Sequence, residues 1–145
     1  MPAVTEPAPV TRVFGVLRDG VRRHSFVGAN FFMSMTDSYA YRPLVWDVYV
    51  ERVSNPKEGK PADEALIAAA LSKARVYFKA LHYLMGRQAF LAGEAPTLAD
   101  FHAAPVFGYF LEAPEGREVV REFPRVQQWW QRISATEAFK RAVGS

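Results

Sequence analysis

"AGEAPTLADFHAAPVFGYF", residues 92–110, contains the signature of a helix start. Thr97 is of a residue type favoured at a helix N-cap, and Asp100 follows it by three positions. In such a capping box the Thr hydroxyl accepts from the Asp amide, and the carboxylate accepts from the Thr amide. Both contacts satisfy backbone donors that a helix start leaves unpaired. We therefore predict that Thr97 and Asp100 form a structural cap, and that Asp100 is not a general base.

The chain before this stretch is predicted to be helical from about residue 30. Apolar residues recur there three and four positions apart, as they do on a buried helix face. The members of this face are Phe31, Met35, Tyr39, Trp46, Val50 and Val53. Pro43 lies within the run and predicts a kink but not a break. Residues 54–61, SNPKEGKP, are dense in Pro, Gly and charge and predict a linker.

A second long helix is predicted from a cap at Asp63 to about Gln88. Its apolar residues form a seam of the kind that packs against another helix; they are Ile67, Leu71, Ala74, Phe78, Leu81 and Met85. Further helices are predicted at about 98–112 and 124–134, with shorter turns near 115–122 and 136–143. Because strand-like alternation is weak after residue 30, we predict an all-α helical bundle.

Composition and charge limit the classes of function. The chain has 145 residues, half of them hydrophobic, which favours one folded domain over disorder. It has no cysteine, which excludes disulfides, thiolate metal sites and cysteine nucleophiles and fits a reducing cytoplasm. There is neither a signal peptide pattern nor an apolar run near the ~20 residues of a membrane span. The net charge of +3 is scattered along the chain, so we expect neither a nucleic-acid nor a membrane partner.

Three stretches in order resemble one known family. FLAGEAPTLADFHAAPVF, residues 90–107, is similar to the capping segment of the glutathione S-transferase family, where Leu-Ala-Gly precedes Ser/Thr-x-x-Asp. FPRVQQWWQRI, residues 123–133, resembles the closing helix of that family. DSYAYRPLVWDVYVER, residues 37–52, is similar to the first helix of the C-terminal domain in bacterial members. The resemblance implies that residues 30–145 form a C-terminal-type helical domain, with glutathione as co-substrate.

The segment before this domain is short for the family. Members carry a thioredoxin-like half there, which binds glutathione and supplies the Tyr, Ser or Cys that activates its sulfur. Since a single βαβ unit takes about 30 residues or more, we expect this half to be absent. Residues 1–29 are predicted to be a flexible tail, although residues 12–27 could also form a hairpin or a frayed helix. VLRDG, residues 16–20, is similar to a hairpin turn of the missing half, and Ser25 is not favoured as a glutathione contact.

The resemblance also implies candidate ligand residues. The first and central helices of such domains line the pocket for the hydrophobic substrate, which makes Tyr39, Tyr41, Arg42 and Trp46 substrate-binding candidates. An aromatic stretch beside a proline suits an apolar ligand, and the phenols add polar groups. The competing interpretation, favoured for Tyr39 and Trp46, is that they are core residues whose cover is missing. For Tyr41 and Arg42 the choice stays open.

The histidines and acidic residues give weaker signals. His102 is either a buried, hydrogen-bonded histidine, the favoured interpretation, or a general base that contacts substrate. Asp37 is interpreted as a surface carboxylate, and His24 as exposed to solvent. His82 lies one position off the apolar seam. The spacing His-x-x-x-His does not occur, so we expect no metal site, and the catalytic residues stay unknown.

Three hypotheses for function follow. In the first hypothesis, the chain is the hydrophobic-substrate half of a glutathione transferase and is active when a thioredoxin-like half completes it. Alternatively, it is a non-catalytic binding or protein-interaction module, which forms a homodimer or binds a thioredoxin-like partner through its uncovered apolar surface. The third is a small glutathione-independent isomerase or cyclase that uses Tyr39, Tyr41 or His102.

Overall fold

The structure is a computed structural model that describes residues 25–143. The turn-like stretch at residues 16–20, and most of the predicted tail and of the possible hairpin at residues 12–27, lie outside this range. Residues 25–29, which are within it, are helical and not a tail or hairpin. The helices in the described range are α1, Ser25–Met35; two π-helical segments, Thr36–Ala40 and Arg42–Ser54; α2, Asn55–Lys57; α3, Glu64–Met85; α4, Leu98–Glu112; α5, Pro114–Arg121; α6, Pro124–Ser134; and α7, Glu137–Ala142. Residues 25–143 contain no strand beyond an isolated bridge between Phe90 and Gly93, in agreement with the predicted all-α fold.

The segments from Ser25 to Lys57 form one continuous helix, which we call the first helix. The junction residues Met35, Tyr41 and Ser54 all have right-handed helical backbone angles. In the π-helical segments the amide donates to a carbonyl five residues earlier, as from Tyr41 to Thr36. The helix passes Pro43 without a break, as predicted. It also begins before residue 30 and includes the first four residues, 54–57, of the predicted linker.

The buried face of the first helix differs from the predicted one. Its most deeply buried positions are spaced by four: Phe32, Thr36, Ala40, Leu44 and Val48. Of the predicted face, Met35 is buried. A helix of 3.6 residues per turn would rotate such a set away from the core, whereas the longer repeat of π-helical segments keeps it on one side. Tyr39 and Trp46 are 67% and 51% exposed, so their predicted place on the buried face is wrong.

The predicted second helix is present as α3. Asp63 caps it by accepting from the Leu66 amide at 3.0 Å. Its predicted seam faces the core, with Ile67, Ala74, Phe78, Leu81 and Met85 buried and Leu71 packed beside them. The helix ends before Gln88 because Gly86 adopts a positive φ of 59°.

Helix α4 lies at the centre of the bundle. It packs against the first helix on one side and against α5 and α6 on the other. Phe107 is fully buried in α4, with ring centres 5.1 Å from Phe78 and 4.8 Å from Trp129. Helix α6 lies where the sequence predicted a helix, and α5 and α7 are short helices at the two positions predicted as shorter turns. Among the helices of the described range, none is long and apolar enough to cross a bilayer.

Candidate functional site

Asp100 is a buried residue whose carboxylate accepts four hydrogen bonds. Its Oδ1 accepts from the Leu91 amide at 2.9 Å and from the Trp129 indole nitrogen at 2.7 Å. Its Oδ2 accepts from the amide and the hydroxyl of Thr97, at 2.7 and 3.2 Å. The capping box predicted at Thr97 and Asp100 is present, and the side chain of Asp100 has no exposure to solvent. These bonds join the loop before α4 to α4 and α6, which leaves the carboxylate no access to a substrate.

A groove of about 950 Å³ lies between the first helix and α3. Its size is in the range of sites for small organic molecules, about 300–1,000 Å³. The lining residues are Phe31, Ser34, Met35, Ser38, Tyr39, Arg42, Pro43, Lys73, Val76, Tyr77 and Ala80. Tyr39 and Val76 are 67% and 72% exposed, so large apolar surfaces on the two helices are open to a ligand.

A buried hydrogen bond joins the two helices that form the groove. The Tyr77 hydroxyl and the Thr36 hydroxyl form a buried hydrogen bond of 3.0 Å that joins α3 to the first helix. Burial raises the pKa of Tyr77, an effect only partly offset by the bond to Thr36. The phenol therefore stays protonated near neutral pH and holds the two helices together through this bond.

Two cations lie at the edge of the groove. Arg42 is 82% exposed, and its Nε is 3.8 Å from Asp47 Oδ1, a distance that gives a weak ion pair. Lys73 reaches the same groove from α3. This arrangement can bind an apolar molecule and attract a negative group attached to it. Among the described residues, neither Ser34 nor Ser38 is hydrogen-bonded to a histidine or carboxylate.

The structure separates the predicted substrate-binding residues. Tyr39 and Arg42 line the groove, whereas Tyr41, Trp46 and His102 do not. Tyr41 and Trp46 are both about half exposed, at 47% and 51%. The five candidates thus do not form one pocket.

His102 forms a hydrogen bond that sequence reasoning did not identify. Its Nε2 is 2.7 Å from Asp37 Oδ1, which joins α4 to the first helix. The side chain of His102 is 33% exposed and that of Asp37 is 66% exposed. His102 is thus hydrogen-bonded and only partly buried, while Asp37 lies at the surface as predicted. His24 lies outside the described residues.

Sequence reasoning missed the α3 side of the groove. Lys73, Val76 and Tyr77 line the groove but are not part of the apolar seam predicted for α3. One available signal was Val76, a large apolar residue on an otherwise polar part of the helix surface. As for metals, residues 25–143 bring together no group of three His, Asp or Glu side chains that could hold an ion.

Comparison with known proteins gives one consistent result. Residues 33–137 match the family model described as glutathione S-transferase, C-terminal domain. Glutathione S-transferase F12 of Arabidopsis thaliana is 24% identical over 107 residues, covering 74% of this chain and 50% of the relative. Glutathione S-transferase F11 of the same plant is 28% identical over 115 residues, covering 77% and 52%. The chain spans about half the length of these curated relatives.

A solved structure shows the same fold. Glutathione S-transferase III in its apo form superposes with a TM-score of 0.76 at 22% identity, over 82% of this chain and 54% of that one. At this identity the likeness concerns the fold alone. The two relatives above are plant proteins, so the resemblance of residues 37–52 to bacterial members stays a prediction.

Proposed function

Because the chain belongs to the family of glutathione S-transferase C-terminal domains, we propose that it is the hydrophobic-substrate half of a glutathione transferase. A thioredoxin-like half, on this or another chain, brings glutathione as co-substrate, and the completed protein conjugates it to an electrophile. The groove between the first helix and α3 is the observation that carries this proposal. It combines a large volume, exposed apolar walls and two cationic side chains, Arg42 and Lys73.

The ligand we propose has an apolar body. That body packs against Tyr39 and Val76, whose exposed surfaces lose contact with water when it binds. Any negative substituent lies toward Arg42 and Lys73. Tyr41, Trp46 and His102, which do not line the groove, are not required for this binding.

Binding of an apolar dye to the full chain tests the proposal. We expect anilinonaphthalene sulfonate to bind, and Tyr39→Ala to raise its Kd about fivefold, since losing part of a buried side chain costs about 1 kcal/mol. Trp46→Ala is the matched control, because Trp46 is a similarly exposed aromatic residue outside the groove. Fluorescence titration gives both Kd values. Equal losses in the two variants would contradict a ligand site in this groove.

A second candidate is a non-catalytic interaction module. It is favoured by further exposed apolar side chains on α4, where Leu98 is 72% exposed and Tyr109 47% exposed. The partner is a second copy or a thioredoxin-like protein that covers this surface. Sedimentation of a clean monomer with little dye binding would count against it. For either function we propose a cytoplasmic location without nucleic-acid or membrane partners.

A further inference from the structure

A second, smaller pocket lies where the end of α3 meets α6. It has a volume of about 160 Å³, and its lining consists of Gly86, Arg87, Gln88, Arg125, Gln128 and Arg132. Three of these six residues are arginines and none is acidic. We propose that this pocket binds a phosphate group, either free phosphate or the phosphoryl group of a small organic molecule.

The positive charges of this pocket lack counter-charges. Within the described part of the chain, Arg87 and Arg125 form neither an ion pair nor a hydrogen bond. Arg132 donates from Nη1 to the carbonyl of Ala89 at 3.1 Å, which leaves its charge unneutralised. The acidic residue closest in sequence to Arg125 is Glu122, and its carboxylate is paired with Arg75 at 3.0 Å. Three cations that repel one another in one pocket create a positive potential that attracts an anion.

The positions of the polar groups suit a single small anion. Arg125, Gln128 and Arg132 follow one face of α6 at spacings of three and four. The bond from Arg132 to Ala89 holds this face against the loop that follows α3. Across the pocket, Gln88 Oε1 is buried and has no hydrogen-bond partner. A half-turn of this terminal amide exchanges the oxygen for its NH₂ group, which donates to an anion.

The volume of the small pocket and its guanidinium donors indicate which class of ligand it can bind. About 160 Å³ is well below the 300 Å³ or more of drug-sized sites. A tetrahedral oxyanion fits this size, whereas the apolar ligand proposed for the large groove does not. Guanidinium groups present paired N–H donors that match phosphate oxygens, and several of them balance a double negative charge.

A histidine beside the pocket reports on its charge. His82 lies one helical turn before Gly86, whose amide donates to the His82 carbonyl at 3.3 Å. Burial lowers the pKa of the His82 side chain, and the positive charge of Arg125 lowers it further. An anion that neutralises Arg125 therefore raises the pKa of His82. Replacing Arg125 by glutamine raises it as well.

The test is a titration of the full chain with sodium phosphate, at an ionic strength held constant with sodium chloride. We expect saturable binding by calorimetry and a rise in the NMR-monitored pKa of His82. Arg125→Gln should weaken phosphate binding at least about tenfold, as expected for losing a charge-assisted bond. Arg121→Gln removes the same charge from an exposed site outside the pocket and should change the Kd less than about twofold.

A parallel titration with glycerol phosphate distinguishes the two sources of phosphate. Binding of glycerol phosphate as tightly as inorganic phosphate indicates a site for phosphorylated molecules, and selective binding of inorganic phosphate indicates a site for the free ion. Either result supports the pocket. If phosphate acts no differently from chloride on the unmodified chain, or if Arg121→Gln weakens binding as much as Arg125→Gln, the pocket is not a phosphate site.

Discussion

Asp100 connects more of the molecule than its sequence motif indicates. The motif predicted two bonds within one helix start, whereas the carboxylate also accepts from Leu91 and from the indole of Trp129. These partners lie 9 and 29 residues away, a distance that local patterns do not describe. The sequence could thus predict the cap. The contacts of the same side chain with Leu91 and Trp129 could not be predicted without knowing how the helices pack.

We predict that Asp100→Ala lowers the free energy of unfolding by about 3–5 kcal/mol. The change leaves several buried donors without an acceptor, and each costs about 1–3 kcal/mol. Urea unfolding measures the effect. If the alanine variant does not fold, Asp100→Asn, which keeps one acceptor oxygen, should show a smaller loss.

Asp63→Ala provides the control for this prediction. Asp63 caps α3 through one bond to the Leu66 amide and lies at the surface, so its loss should cost about 1 kcal/mol. If both substitutions cost the same, Asp100 is an ordinary cap and its bonds to Leu91 and Trp129 contribute little.

Among the elements, the first helix shows where periodicity is insufficient. The spacing of apolar residues predicted its existence, but it assumed a repeat of 3.6 residues. The π-helical segments around Pro43 change that repeat, so Tyr39 and Trp46 point to solvent while Ala40 and Leu44 are buried. Helix α3 has regular α-helical geometry, and its seam was predicted correctly.

The corner between α4 and α5 depends on Gly116. A Cβ at this position would overlap the carbonyl oxygen of Phe110 and lie 2.9 Å from its carbonyl carbon. Because these are backbone atoms of the last turn of α4, α5 would have to move. We predict that Gly116→Ala lowers the free energy of unfolding by about 1–3 kcal/mol in thermal or urea unfolding.

Gly108→Ala is the matched control for that prediction. A Cβ at Gly108 would meet only the ring of Trp130, at an ordinary contact distance of 3.5 Å. Alanine also favours a helix interior over glycine by about 0.5–1 kcal/mol. Gly108→Ala should therefore be neutral or stabilising. A stability of Gly116→Ala equal to that of Gly108→Ala would show that α5 is free to shift.

For the molecule as a whole, the sequence predicted the fold better than the site. The order and type of the helices followed from caps, prolines and seams, all of which are local. The groove is formed by two helices, and Val76 and Lys73 face Tyr39 and Arg42 only because α3 packs beside the first helix. From the sequence alone, Trp46 and Tyr41 could not be distinguished from Tyr39, because all three are aromatic residues close to Pro43 in the first helix.

The most direct test of the proposed half-transferase is a steady-state assay of a single-chain fusion. A thioredoxin-like, glutathione-binding half is joined ahead of this chain, and conjugation of glutathione to an aryl chloride is followed. We expect activity that either half lacks alone, with Tyr39→Ala raising the KM for the aryl chloride about fivefold and leaving that for glutathione unchanged. Trp46→Ala should change neither constant. An inactive fusion that folds, or a Tyr39→Ala variant with the kinetics of Trp46→Ala, would contradict the proposal that this groove supplies the hydrophobic-substrate site.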